Sequence, residues 1–180
     1  MLRCSESHIP RPEEVETLSQ QAENLAALGV DGMVVGFLRK DQVDVAVTRQ
    51  VLSRAPNLKA TFHRAFDEAA DPLAEIGRLK ELRQVDRILT SGGAGSWEMR
   101  AKRLESYQQA AAPEITVLVG GGLDRLGIER LLLSESRPQE FHTGRAVRVP
   151  GKACGVVRAE RVRELVACLH RGPIEVRRIQ

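Results

Sequence analysis

The chain alternates short apolar runs with longer amphipathic segments. Five apolar runs each end in glycine or polar residues: Met33–Gly36, Ala60–Arg64, Ile88–Gly92, Val117–Gly122 and Glu140–Gly144. Measured from Gly36 to His63, Ser91, Gly120 and His142 in turn, the steps are 27, 28, 29 and 22 residues. Each step is about the length of one strand followed by one helix. This spacing predicts parallel strands joined by helices, so the polar residues that end the runs are the first candidates for function.

The segments between the runs carry apolar residues at helical spacing and polar residues that can cap a helix. Val15, Leu18 and Ala22 follow Pro12 at intervals of three and four residues, which predicts a helix that begins at this proline. The other helices are expected after Asp41 with Val43, Val47 and Val51 inward, after Asp71 with Leu73, Ile76 and Leu79 inward, after Ser96, after Asp124, and over Val156–Leu169 with Val162, Leu165, Val166 and Leu169 inward.

The position of the glycine-rich turn separates two parallel folds. A doubly wound sheet carries its phosphate-binding glycines after its first strand, whereas the triple glycine 120–122 follows a late strand here. In a (βα)-barrel, the loops after the last two strands commonly build the phosphate site. The sequence therefore predicts an α/β fold of the TIM-barrel type.

Composition limits the classes of partner. The 180 residues, 42% of them hydrophobic, suffice for one core, and no linker-like stretch divides them. Aromatic residues make up 3%, and the net charge of +3 is dispersed, which argues against a nucleic-acid surface. No run approaches the roughly 20 apolar residues of a membrane span, and no signal-peptide core follows Met1. We expect a cytoplasmic protein that binds neither nucleic acid nor a membrane.

Several motifs resemble those of the CutC family, whose members are usually labelled copper homeostasis proteins. They are Thr61-Phe62-His63-Arg64-Ala65-Phe66-Asp67, Arg87–Gly93, the triple glycine and Glu140-Phe141-His142, with Gly32–Gly36 upstream. The match runs from about residue 12 to 170 in the right order and spacing. The resemblance implies a TIM barrel, which the strand–helix spacing supports independently.

Against the family pattern, the chain is short at its N-terminus. The first two strand–helix units of the pattern would precede Met1, so residues 1–180 are expected to form a single CutC-like domain with about six of the eight units of a complete barrel. An incomplete barrel leaves two open edges, which a second copy of the chain would cover. A fragment or a misassigned start is the alternative. The family's Arg-Pro-Arg reads Arg3-Cys4-Ser5 here, so Arg3 stays a pocket candidate in a partly altered pocket.

The strand end at His63 and Arg64 carries the candidates for catalysis, with Asp67 as a further pocket candidate. Arg64 offers a planar fork for a carboxylate or phosphate, and His63 can move a proton near neutral pH. Alternatively, Arg64 pairs with Asp67 to organise the loop, and His63 packs inside the barrel. Because neighbouring strand residues point to opposite faces, one of His63 and Arg64 is expected to be structural.

The next strand end offers hydroxyl groups and glycine. Ser91 and Gly92, with Thr90 beside them, can give hydroxyl and backbone N–H donors to an anion. The same residues can instead form a tight turn, which needs glycine in any case. The two interpretations stay open.

The last two strand ends supply the best case for an anion. Gly121 and Gly122 precede the helix that Asp124 is expected to cap, and glycines let a phosphate approach the backbone donors of a helix N-terminus. The acidic Asp124 opposes an anion there. Gly144 and Arg145 can complete the same site with a backbone donor and a cation. His142, one residue inside its strand end, either packs or takes part in chemistry.

The cysteines do not predict a copper site. Cu(I) prefers soft sulfur ligands, whereas Cys4, Cys154 and Cys168 have no close spacing, and their odd number argues against a disulfide framework. Cys168 is expected in the core and Cys154 in a loop, while Cys4 with His63 and His142 would form an adventitious site at most. We name no metal ligand, and copper is the cofactor that the resemblance alone implies.

No motif dictates a reaction, because the chain has no P-loop, H-E-x-x-H motif or C-x-x-C pair. Three functions stay open. The first is a CutC-like copper homeostasis protein whose strand-end pocket suits a small molecule with a phosphate or carboxylate. The second is a TIM-barrel enzyme of unknown reaction on such a metabolite. The third is a degenerate, truncated paralogue without activity.

Overall fold

The computed structural model describes residues 7–134 and 137–171, the last of these by its backbone only. The strands are β1 (Gly32–Val35), β2 (Leu38–Arg39), β3 (Gln42–Val43), β4 (Lys59–Phe62), β5 (Val85–Thr90), β6 (Thr116–Val119), β7 (Glu140–Phe141), β8 (Arg148–Val149) and β9 (Val156–Val157). The helices are α1 (Pro12–Ala27), α2 (Val45–Ser53), α3 (Pro72–Lys80), α4 (Trp97–Ala111), α5 (Arg125–Leu132) and α6 (Ala159–Arg171). Two 3-10 helices lie at Arg64–Glu68 and Arg145–Val147.

Five strands form one parallel sheet in the order β1, β4, β5, β6, β7. Each neighbour in the sheet is the next sheet strand along the chain, and strand–helix–strand crossovers are right-handed. The connecting helices therefore lie on one face, as in a (βα)-barrel. The five predicted strands and the incomplete α/β barrel are confirmed. The resemblance to the family also implies that a further strand starts at Met1–Arg3, and these residues lie outside the described part of the chain.

The two faces of the sheet differ in burial. The side chains that point to the helices are buried, among them Val35, Phe62 and Ile88, each at most 2% exposed. On the face that forms the inside of a barrel, Arg87 and Glu140 form a two-pronged ion pair across β6, with Nε–Oε2 and Nη2–Oε1 distances of 2.7 and 3.0 Å. This ion pair between two motif residues therefore links β5 to β7 across the inner face of the sheet.

The helix boundaries follow local capping chemistry. Asp71, Ser96 and Asp124 accept hydrogen bonds from the backbone N–H three residues on, at 3.2, 3.4 and 2.8 Å, which satisfies a donor that the helix leaves free. Pro12 is the first residue of α1, as predicted. Across residues 7–134 and 137–171, no helix has the length and apolar character needed to cross a membrane.

The predicted start of the second helix is wrong. Asp41 does not cap it but sits with Lys40 in the turn of the β2–β3 hairpin, where both residues have positive φ. Asp44 is the cap, and its carboxylate accepts from Val47 N at 3.1 Å. Val43 belongs to β3, where its N–H donates to the buried Glu75 carboxylate at 2.8 Å. A tight hairpin thus interrupts an apolar spacing that matched a helix.

The C-terminal helix also begins later than predicted. Val156 and Val157 pair with Val149 and Arg148 as an antiparallel hairpin, and α6 starts at Ala159. Leu165 is buried, but Val162 and Val166 are 37% and 44% exposed, so the predicted inward face is only partly correct.

Candidate functional site

The motif after β4 folds into a short 3-10 helix. His63 caps it, because its Nδ1 accepts a hydrogen bond from Ala65 N at 3.0 Å. The imidazole also lies over Gly36 at the end of β1, where a Cβ atom would come within 2.5 Å of the ring. Phe66 is fully buried and meets Tyr107 edge-on, with ring centroids 5.4 Å apart. The histidine and the phenylalanine of the motif therefore anchor the loop.

Asp67 ties this loop to the end of β5. Its carboxylate accepts hydrogen bonds from Thr90 Oγ1, from Ser91 Oγ at 2.8 Å and from Ser91 N at 3.1 Å. Arg64 Nε donates to the same carboxylate at 2.9 Å. The Asp67 side chain is 9% exposed, so these donors, and not water, stabilise its negative charge. The Arg64–Asp67 pair that the sequence left as an alternative is present.

The same contacts show what Thr90 and Ser91 are used for. Both are buried, and the hydroxyl and N–H of Ser91 are directed at Asp67. The Ser91 hydroxyl also accepts from Gly93 N at 3.2 Å, and Gly92 N donates to Thr90 Oγ1 at 3.0 Å. The predicted anion donors at this strand end are thus engaged within the protein.

His63 is neutral at physiological pH. Burial, and then the neighbouring His8, lower its pKa from 6.5 to about 4. Its ring is 5.1 Å from that of His8, whose Nε2 lies 3.1 Å from a Glu68 carboxylate oxygen. A group with this pKa does not alternate between acid and base near pH 7, so the observed environment favours the structural role for His63.

This lowered pKa makes the fold sensitive to acid. Between pH 6.5 and about 4 the unfolded chain protonates His63 and the folded chain does not, so stability should fall as the pH is lowered through this window. Urea unfolding at pH 7 and pH 5 should show this loss in the native chain. His63→Asn, which keeps an acceptor for Ala65 N, should show a smaller loss. The control is His170→Asn, which removes an exposed histidine and should lose as much stability as the native chain. An equal loss of stability in His63→Asn would contradict the lowered pKa of His63.

A cavity of about 430 Å³ opens at the carboxyl ends of β4 to β7. Six predicted site residues line it: Arg64, Gly121, Gly122, His142, Gly144 and Arg145. Five predicted site residues do not line it: His63, Asp67, Thr90, Ser91 and Gly92. Arg3 lies outside the described residues. The volume is at the lower end of the range for small-molecule sites, so the cavity suits a small ligand.

The charged side chains of the cavity wall are mostly cationic. Arg64, Arg145 and Arg161 line it together with one carboxylate, Asp124, which is engaged at the N-terminus of α5 by Gly127 N. Within the described residues, Arg145 has no ion pair or side-chain hydrogen bond. Arg161 Nη1 donates a hydrogen bond to Arg148 O in β8 at 2.8 Å. Arg64 is paired with Asp67, whereas Arg145 and Arg161 have no carboxylate partner among the described residues. The charges of these last two arginines are therefore not neutralised by a described side chain.

The glycines after β6 let the backbone approach this space. Gly121 has a φ of +86° and lies against Arg64, whose Nε would be 2.8 Å from an added Cβ atom. Gly122 has a φ of +74° and no neighbour within 4 Å of an added Cβ atom. Among the described residues, neither glycine donates its N–H to a hydrogen bond. Two backbone donors thus stand free beside the three arginines.

Sequence reasoning missed part of this cavity wall. Arg161 comes from α6 and not from a strand end, and no local motif marks it. Leu89, Leu123 and Ala146 add apolar side chains to the wall. Alternation along β5 places Leu89 on the inner face, so Leu89 alone had a usable signal.

The described residues provide no evident metal centre. Within 7–134 and 137–171, no three His, Cys, Asp or Glu side chains form a group that could hold a metal ion. Cys154 is exposed, and Cys168 is half-buried with its sulfur 4.0 Å from Glu129 Oε1. Cys4 lies outside the described residues.

Comparisons with known proteins agree with the motifs. The model of the CutC family matches residues 7–146. The family protein CutC of Bacteroides thetaiotaomicron is 36% identical over 132 residues, which cover 73% of this chain and 52% of that relative. That of Xylella fastidiosa is 30% identical over 174 residues, covering 89% and 64%. The chain spans about half the length of several curated relatives it matches.

A solved structure shows the same fold. The crystal structure of CutC from Streptococcus agalactiae, which is named for copper homeostasis, is matched with a TM-score of 0.68. The match covers 77% of this chain and 68% of that one at 22% identity. By the extent of the family match and the identity to its members, this chain belongs to the CutC family.

Proposed function

We propose that this chain binds a small molecule bearing a phosphate or carboxylate group in the cavity at the carboxyl ends of β4 to β7. The observation that carries the proposal is the convergence of Arg64, Arg145 and Arg161 on one cavity with a single, already engaged carboxylate. Positive charge that lines a cleft attracts an anion and stabilises it when it is bound.

The bound anion would meet two kinds of donor. Arg64 uses Nε for Asp67, so its terminal nitrogens stay available on the cavity side. Guanidinium groups bind carboxylate and phosphate oxygens in pairs, and free backbone N–H groups complete such sites. In this proposal Arg64 and Arg145 supply the cations, and Gly122 supplies a backbone donor.

The apolar side of the wall would hold the rest of the ligand. Leu89, Leu123 and Ala146 contribute apolar side chains to the wall, which could contact an apolar part of the ligand. His142 is the histidine that lines the cavity. If the chain is an enzyme, we place the proton transfer at His142 rather than at His63.

Copper enters through the name of the Streptococcus relative. No observation on the described residues favours a copper site over an anion site, since the two described cysteines do not join a metal-holding group. The proposal therefore assigns the cavity to an anion and leaves a copper role to residues such as Cys4.

The proposal predicts that anions stabilise the chain through Arg145. Thermal unfolding should shift upward with inorganic phosphate, sugar phosphates or dicarboxylates, because a ligand that binds the folded state stabilises it. Arg145→Met should lose most of this shift while unfolding near the native temperature without ligand, because Arg145 has no partner among the described residues to leave behind.

A matched control is available outside the cavity wall. Arg49 is exposed on α2, where its surface pair with Glu81 spans 3.7 Å, and Arg49→Met removes the same charge. This variant should keep the full anion response. If no anion shifts the native chain, or if both variants lose the response equally, the proposed function is wrong.

A further inference from the structure

A half-buried arginine of α4 lies behind the glycine turn of the cavity. Arg100 Nε donates to Gly93 O at 2.9 Å, and Nη2 donates to Gly121 O at 3.4 Å. Its guanidinium carbon also lies 4.5 Å from the centre of the Trp97 ring. These three contacts fix the orientation of the guanidinium. Arg100 does not line the cavity, whereas Gly121 and Gly122 do.

The contact with Gly121 O determines where the next N–H points. The peptide between Gly121 and Gly122 is trans, so its C=O and its N–H point in opposite directions. The C=O points at Arg100. The Gly122 N–H therefore points away from Arg100, and Gly122 itself lines the cavity.

This peptide would rotate easily if nothing held it. Both of its residues are glycines with positive φ, at +86° and +74°, and glycine has access to more backbone conformations than any other residue. A rotation would exchange the two groups and present a carbonyl oxygen to the cavity, which repels an anion. A fixed donor behind the peptide prevents this exchange.

We infer that Arg100 is a positioning residue for the anion site and keeps the Gly122 N–H turned towards the cavity by holding the Gly121 carbonyl. This inference rests on the proposed function. Arg100 acts through the peptide and does not touch the ligand. An arginine suits this role because its rigid planar group can bind two carbonyls in a fixed geometry while it stacks on an indole. The ammonium of lysine is a point charge without this fixed plane.

The surroundings of Arg100 agree with this role. Burial, and then the charges of Arg64 and Arg103, lower its pKa, while Asp67 acts in the opposite direction. The guanidinium nevertheless stays charged at any physiological pH. The protein thus keeps a partly desolvated positive charge close to two others, beside a peptide whose N–H no described residue uses.

The test follows the glycine amides by NMR while inorganic phosphate is added. In the native chain the Gly122 amide should shift, and the shifts give the dissociation constant. Arg100→Lys keeps the charge but loses the double carbonyl contact, so the constant should rise about tenfold, and Arg100→Met should behave alike. Arg103→Met removes a charge one turn further along α4, where the side chain contacts Ala94 O and not Gly121. It should change the constant less than threefold.

The outcomes separate the two proposals. Native affinity in Arg100→Lys, or an equal loss in Arg103→Met and Arg100→Met, would overturn the positioning role while the anion site stands. No amide shift in the native chain would overturn the proposed function itself. Glycine spectra without ligand show whether each variant is folded, and Arg100→Lys decides the question if Arg100→Met does not fold.

Discussion

Replacing Phe66 by alanine should lower the free energy of unfolding by about 3–5 kcal/mol. Phe66 is fully buried, and it contacts the Tyr107 ring of α4 edge-on at 5.4 Å. The substitution would therefore remove a large apolar side chain and an aromatic pair, and would leave a cavity where the motif loop packs on the helix layer. Urea unfolding monitored by circular dichroism measures the change.

Two controls bracket this effect. Phe66→Leu retains most of the volume and should lose less than about 1.5 kcal/mol. Leu126 is 64% exposed on α5, so Leu126→Ala should change stability by less than about 0.5 kcal/mol. A loss below about 1 kcal/mol in Phe66→Ala would show that the loop is not anchored in this way.

Replacing Asp67 by alanine should cost about 2–4 kcal/mol of the free energy of unfolding. The carboxylate accepts from Thr90 Oγ1 and from Ser91 N and Oγ, and Thr90 and Ser91 are 0% and 2% exposed. The variant would leave these buried donors without an acceptor and would free Arg64 from its pair. Chemical unfolding at pH 7 measures the loss.

Asp67→Asn tests the same network more finely. It retains one acceptor oxygen but sets an NH₂ group against donors, so its loss should lie between those of the native chain and Asp67→Ala. The exposed Asp31→Ala is the control for removing a carboxylate and should be close to neutral. Equal stability of Asp67→Ala and Asp31→Ala would contradict the network.

The elements that sequence alone predicted well are those with local causes. The caps at Asp71, Ser96 and Asp124 work through residues three positions away, so a short window holds all the information. The β2–β3 hairpin was not predicted, because its turn residues, Lys40 and Asp41, take positive φ without the glycine that usually marks such a turn. An apolar spacing that spans the hairpin then resembled a helix.

The candidate site was predictable only as a set of strand ends. Sequence left open whether Ser91 serves an anion or the turn, because Asp67, the partner that decides it, is 24 residues away. Arg161 reaches the cavity from α6, beyond the last sheet strand, and Arg100 acts through a backbone carbonyl 21 residues away. These roles depend on contacts between residues of different strand–helix units, and no local sequence pattern encodes such contacts.

The most direct test of the anion site is a crystal structure of the chain soaked with tungstate, a tetrahedral oxyanion whose metal gives a strong anomalous signal. We expect a tungsten peak inside the cavity of about 430 Å³, with oxygens bound by Arg64, Arg145 and the Gly122 N–H. The peak should disappear in Arg145→Met. An empty cavity in crystals that leave it open to solvent, or peaks only at exposed surface arginines, would contradict the central claim.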